Sequence, residues 1–267
     1  MRAAAVVGMV LLCGIAQGAE PKTVTNTIGM ELIEIPAGKF TMGSPRGENG
    51  PQVAVTLTKP FWIGKTEVTQ GQWKKVMGTA PWEDMSNTKT GEFFAATYVN
   101  WDAATAFCQT LTDLERKAGK LPAGESYRLP TEAQWEYACR AGTTTAFSFG
   151  EDESKLGEYA WFRGNAFHAG EKYAHKVGMK KPNPWGLHDM HGNVWEWCSD
   201  RHGIELRGGT DPVGLRFRRG DSRVIRGGSW GYDLDCCWSA CRTGAYPSEA
   251  FDARDVGFRV ARSQSAE

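Results

Sequence analysis

The chain has 267 residues, 41% hydrophobic and 23% charged, with 31 basic against 31 acidic side chains and a formal net charge of +0. That length suits one large core or two small ones, and a single domain is expected here. The balanced charge gives no long-range field for a phosphate backbone or an anionic bilayer, so no nucleic-acid partner is expected.

Residues 1–18 read as a signal peptide. Arg2 is the positive start, Ala3 to Ile15 the apolar stretch, and Ala16-Gln17-Gly18 the small residues of a cleavage site. Leu12 ahead of Cys13 is too large for lipoprotein processing. Residues 19–267 are then the exported domain, periplasmic or extracellular, and no later segment is apolar for long enough to span a bilayer.

Glu31-Leu-Ile-Glu-Ile35 alternates as a strand does, and Pro36 to Gly43 turns the chain into a second strand. Residues 44–52, rich in glycine, proline and charge, read as a surface loop before a third strand at Val53–Leu57. Thr69 with Gln72 makes a capping box ahead of Trp73, Val76 and Met77. Asn100 caps a second helix whose buried face is expected at Ala104, Phe107, Cys108, Leu111 and Leu114. Thr131 with Gln134 opens a third, carrying Trp135, Ala138 and Cys139 and ending near Gly142. Beyond Gly142 helical periodicity disappears, and short extended pieces such as Asn193–Trp197 and Arg223–Arg226 stand between turn residues. The 11 Trp then supply much of the packing. Long irregular loops need a bound ion or a function to offset their ordering entropy.

Cys108, Cys139, Cys198, Cys236, Cys237 and Cys241 remain once Cys13 leaves with the signal. An oxidising compartment would permit disulfides, but the spacing selects no pairing, and adjacent Cys236 and Cys237 are poorly placed to bridge each other. His168, His175, His188, His191 and His202 lack the spacing of a zinc or iron site and read as solvent-facing or hydrogen-bonding residues.

Gly29 to Ser44, Lys65-Thr-Glu-Val-Thr69, Val99-Asn-Trp101, Tyr127-Arg-Leu-Pro-Thr-Glu-Ala-Gln-Trp-Glu-Tyr137, Gly186-Leu187, Gly192-Asn-Val-Trp-Glu-Trp197, Arg226-Gly-Gly-Ser-Trp230 and Gly257-Phe-Arg-Val260 occur in this order. Together they resemble the formylglycine-generating enzyme family, also called sulfatase-modifying factor. The resemblance implies a single α+β domain with a C-type-lectin-like core, low in regular secondary structure. It implies an activity too, the O₂-dependent oxidation of a sulfatase cysteine to formylglycine at Cu(I) held by two thiolates, the ligands a soft ion prefers.

Carried onto this chain, the family's second copper cysteine falls on Cys237 and its first on Tyr232, a hard oxygen donor. Cys236 and Cys241 are the candidates for a displaced second thiol. Ser229 matches the serine beside the active cysteines, and it also reads as a turn residue after Gly227 and Gly228. The resemblance further implies Ca²⁺ at Asp189 and Glu196 with the Gly192 and Val194 carbonyls. A second ion would use Asn165 and the Ala166 carbonyl, with Gly178 where its carboxylate belongs.

Two functions stay open: an exported oxidase acting on sulfatases, and a non-catalytic binding module. The second would recognise a protein, peptide or glycan through the loop of residues 230–247, where Trp230, Tyr232, Trp238 and Tyr246 offer aromatic contact.

Overall fold

The computed structural model describes residues 21–45, 47, 51–203, 205–214, 222–247 and 253–264. The signal peptide with Cys13 lies outside the described residues. In chain order the strands before the first helix are β1 (Thr23–Thr25), β2 (Glu31–Ile35), β3 (Gly38–Met42), β4 (Val53–Leu57) and β5 (Phe61–Gly64). Then come α1 (Gln70–Met77), α2 (Trp101–Lys117), β6 (Glu125–Arg128), α3 (Glu132–Arg140) and the single turn α4 (Leu156–Tyr159). The remaining strands are β7 (Trp195–Arg201), β8 (Gly209–Thr210), β9 (Arg223–Arg226), β10 (Arg242–Ala245), β11 (Val256–Gly257) and β12 (Ala261–Gln264).

Each expected helix start is present. Thr69 and Thr131 both form complete capping boxes, with Gln72 and Gln134 answering the backbone of the cap, and Asn100 accepts from the Ala103 N–H. Helix α3 ends at Arg140, with Ala141 already left-handed at φ 48° and Gly142 continuing the turn at φ 90°. Leu114 departs from expectation: it is 39% exposed, while Thr112 and Glu115 are buried instead. At ~100° per residue Leu114 falls about 80° off the stripe through Ala104 and Leu111, whereas Glu115 lies near its centre. Burial of the Glu115 carboxylate is offset by the Thr27 N–H at 3.0 Å and the Thr27 hydroxyl, both donating to Oε1.

Among the described residues the strands form three sheets, in the orders β1-β2-β5-β12-β6, β10-β9-β7-β11 and β3-β4-β8. Strand β12, from the far end of the chain, lies antiparallel between β5 and β6. Trp73 of α1 stacks on Phe107 of α2 at 5.6 Å, and Phe258 meets Phe107 edge-on at 5.3 Å, fixing the helix pair to the strands' core. A second core gathers Trp135, Ala138 and Cys139 of α3 with Ile33, Phe61, Leu187 and Met190.

Buried charge locks the second sheet to α3. Arg226 of β9 reaches Glu132 at 2.9 Å and Glu136 at 2.7 Å, Arg242 of β10 reaches Glu132 at 2.6 Å, and Arg140 reaches Glu136 at 2.8 Å. The remaining Arg226 N–H groups donate to the carbonyls of Ser239 and Cys241 at 3.1 Å, so the same side chain sets the loop ahead of β10.

Candidate functional site

The Arg226–Trp230 segment leaves β9 through two left-handed glycines, Gly227 at φ 99° and Gly228 at φ 76°. A Cβ on Gly228 would lie 2.9 Å from Cys237 Sγ and 2.8 Å from the Cys236 carbonyl, so only glycine lets the turn rest on the 3₁₀ segment Leu234–Cys237. Ser229 is fully buried. Its hydroxyl donates to Asp255 Oδ2 at 2.6 Å and accepts from the Gly231 N–H at 3.3 Å. The serine thus braces a turn that rests on a thiol-bearing segment.

Trp230 belongs to the core and not to a recognition surface. It is 2% exposed, packs with Ala95, Ala166, Ala174 and Val194, and stacks on Phe167 at 6.3 Å. Its bulk would otherwise leave the Asn165–Gly178 loop without a filled interior. Trp238 is half-buried against Phe147, Leu156, Ala160 and Cys237. The exposed aromatics of the 230–247 loop are Tyr232, at 44%, and Tyr246, at 53%. Tyr232 rests edge-on against Trp195 at 5.5 Å, and Arg163 fixes the chain on either side of it, bonding the Gly231 carbonyl at 2.9 Å and Asp233 at 2.5 Å.

Cys237 is sealed, and burial pushes its thiol well above the usual cysteine range. Its Sγ lies 3.8 Å from the Asp233 carbonyl. Its own carbonyl accepts from His191 Nδ1 at 2.8 Å, while His191 Nε2 accepts from the Ser148 N–H at 3.1 Å. That pairing fixes the neutral tautomer, and burial holds His191 down at about 4. His175 is buried as well, so hydrogen bonding and not solvent exposure describes both histidines. Cys236 and Cys241 touch each other and pack on the core that holds α1 and α2, whereas Cys237 packs on the Phe147 side. A dithiolate needs two sulfurs converging on one ion, and Cys237 turns to a different core from Cys236 and Cys241. Tyr232 and Cys237 do not fit a Cu(I) seat.

The cavity beside Trp238 and Ala240 holds only about 40 Å³, while a groove of about 570 Å³ lies elsewhere, between Phe61, Arg128, Gln134 and Val213. Gly227, Gly228 and Ser229 line neither of them.

The oxygen ligands read from the sequence are only partly available. Both Glu196 oxygens are engaged, by Arg259 at 2.6 Å each and by Trp135 Nε1 at 2.7 Å. Asn165 braces its own loop, accepting from the Phe162 N–H at 2.9 Å and donating to the Ala160 carbonyl at 2.8 Å. Gly178 turns instead to Asp189, donating its N–H to Oδ2 at 2.7 Å. Gly192, at φ 137°, passes so near the Trp161 carbonyl that a Cβ would sit 2.4 Å from it, and Val194 is apolar core. What sequence reasoning missed is Glu67. It is buried against Asp189 and shares a hydrogen bond with it, and Glu67 Oε2 and Asp189 Oδ1 find no donor outside that pair. Burial, then each other's proximity for Glu67, raises both carboxyls above the ordinary range. Two buried oxygens short of donors fit a hard cation. Glu67 stands inside the Lys65–Thr69 motif, and a glutamate between Thr66 and Val68 at the end of a buried strand was the available signal.

Helices and mostly antiparallel sheets around a loop-rich half, with a buried serine turn beside cysteines, define a C-type-lectin-like domain of the formylglycine-generating-enzyme type. The chain belongs to the sulfatase-modifying factor family, matching the sulfatase-modifying factor enzyme 1-like domain over residues 17–264. It is 29% identical to the chaperone protein LppX of Paenibacillus barcinonensis, over 89% of this chain and 91% of that one. It is 28% identical to the formylglycine-generating enzyme of Streptomyces coelicolor, over 86% and 88% respectively. The structure of PvdO from Pseudomonas aeruginosa superposes with a TM-score of 0.78 at 27% identity, covering 92% of this chain and 100% of that one. No helix among the described residues is long and apolar enough to cross a membrane.

Proposed function

We propose that this chain is an exported binding module of the sulfatase-modifying factor family that recognises a polypeptide, an exported sulfatase among the candidates, through the surface around Tyr232 and Tyr246. The observation that carries this reading is the reversal of exposure at the two family positions: the phenol of Tyr232 stands in solvent while the thiol of Cys237 is sealed. A sealed thiol whose proton is held firmly is a poor nucleophile and a poor metal ligand. An aromatic ring fixed by Arg163 and backed by Trp195 is a preorganised contact for a chain passing over it. That one relative is named a chaperone supports a protein ligand over a glycan.

Calcium is the cofactor we assign, held by Glu67 and Asp189. It would tie the end of β5 to the 178–193 loops, whose order otherwise rests on few regular hydrogen bonds. Glu196 takes no part.

The test offers immobilised peptides, sulfatases and glycans to the pure protein. Saturable peptide binding that Tyr232→Ala abolishes and Cys237→Ala leaves intact is expected; glycan binding alone, or no binding, refutes the reading. Incubation with Cu(I), O₂ and a Cys-x-Pro-x-Arg peptide is expected to give no aldehyde, and aldehyde lost in Cys237→Ala would restore the oxidase.

A further inference from the structure

We propose that Cys236 and Cys241 are a redox pair that closes into an intramolecular disulfide, stapling the Leu234–Cys237 segment to the start of β10 by exchange with an external disulfide. The inference rests on how the loop places its six-residue span. The Cys236 N–H donates to the Asp233 carbonyl at 3.1 Å and the Cys241 N–H to the Trp238 carbonyl at 2.9 Å, so both backbones are fixed before any bond forms. Arg226 holds the far end, through the Ser239 and Cys241 carbonyls. The two side chains meet each other against the core that holds α1 and α2, both only partly buried. The other described thiols are all buried: Cys139, Cys198 and Cys237 face other cores, and Cys108 is enclosed within the same one.

The pair is also unequal. Cys241 donates its S–H to Cys236, which lowers the Cys236 thiol, and the same bond followed by burial raises Cys241. Cys236 is therefore the attacking sulfur and Cys241 the resolving one.

The exchange balances as follows. Cys236, as its thiolate, bonds to one sulfur of the external disulfide and breaks that S–S bond, expelling a thiolate. The expelled thiolate takes the Cys241 proton. Cys241 sulfur then bonds to Cys236 and displaces the second external thiolate, which takes up the proton Cys236 released. Two protein thiols lose two electrons, and the external disulfide gains them as two thiols.

The experiment equilibrates the reduced, folded protein with glutathione at ratios from fully reduced to fully oxidised, quenches with acid and alkylates the remaining thiols. Chymotryptic cleavage after Trp238 separates Cys241 from Cys236, so a bridge appears as a linked fragment pair whose fragmentation identifies the sulfur used. Loss of two alkylatable thiols is expected, with Cys236 and Cys241 in the bridge. Cys236→Ser and Cys241→Ser are each expected to abolish that loss, while Cys237→Ser retains it. An unchanged thiol count in fully oxidised glutathione, or a bridge to Cys237, overturns the proposal. The wild-type fragment map decides the matter even where a serine variant fails to fold. The result is independent of peptide binding.

Discussion

The charge network around α3 and the cluster around Asn193 are both buried and both hold carboxylates, but they are finished to different degrees. In the first, Glu132 and Glu136 face Arg226, Arg242 and Arg140, and every carboxylate oxygen accepts at least one donor. In the second, Asn193 holds Glu67, His175, Trp161 and Trp230 together through its own amide and backbone, yet Glu67 Oε2 and Asp189 Oδ1 find no donor beyond each other's carboxyl, and His175 Nδ1 and the indole N–H groups of Trp161 and Trp230 find no partner. Glu196, clasped by Arg259, stands between them with both oxygens engaged. A completed network is a frame, while a buried cluster left short of partners is a place prepared for something that arrives later.

Removing one member of the frame should be the most damaging change. Glu136→Ala strands Arg140 as an uncompensated buried charge and leaves Arg226 with Glu132 alone, and should cost roughly 3–5 kcal/mol in urea unfolding. A loss under about 1 kcal/mol would mean that the frame is not what holds the second sheet to α3.

The next effect is pH dependence at His191. Its pKa is lowered on folding from 6.5 to about 4, so the neutral imidazole is the form that the fold retains. Stability from this residue is complete above the unfolded value and is lost as pH falls from 6.5 through 4, at most about 3 kcal/mol. Thermal melts across that window should show the decline, and His191→Gln should flatten it; an equal slope in the variant would assign the acid sensitivity elsewhere.

At the unfinished cluster, Ca²⁺ at one hundred times its Kd should add about 2.7 kcal/mol of stability. Glu67→Gln and Asp189→Asn should each erase the response, whereas Glu196→Gln should weaken the fold with and without the ion. A calcium response that survives in both of the first two variants would place the ion elsewhere. The smallest structural effect belongs to Tyr232→Ala, whose edge contact with Trp195 is worth about 0.5–1.5 kcal/mol, so ligand binding should fall far more than the unfolding midpoint moves.

The frame was largely legible in the sequence. Capping boxes announced α1 and α3, alternation announced β2, and the ordered motifs announced the family. The Glu132, Glu136 and Arg140 spacing within α3 was visible, but its partners lie some 90 residues or more away on β9 and β10, beyond the reach of local pattern. For the same reason Glu196 passed for a cation ligand until Arg259 was placed against it. Trp230 read as surface because aromatics after a glycine turn often are, and only the folded Ala166–Ala174 loop shows that its ring fills an interior. Thiol pairing was equally hidden, since adjacent Cys236 and Cys237 face different cores.

The placement of β12 bears on how this molecule is made. The first sheet stays split, with bare edges on β5 and β6, until Ala261–Gln264 slides between them. Such a keystone makes completion of the sheet slow, because the joining segments are so far apart in sequence.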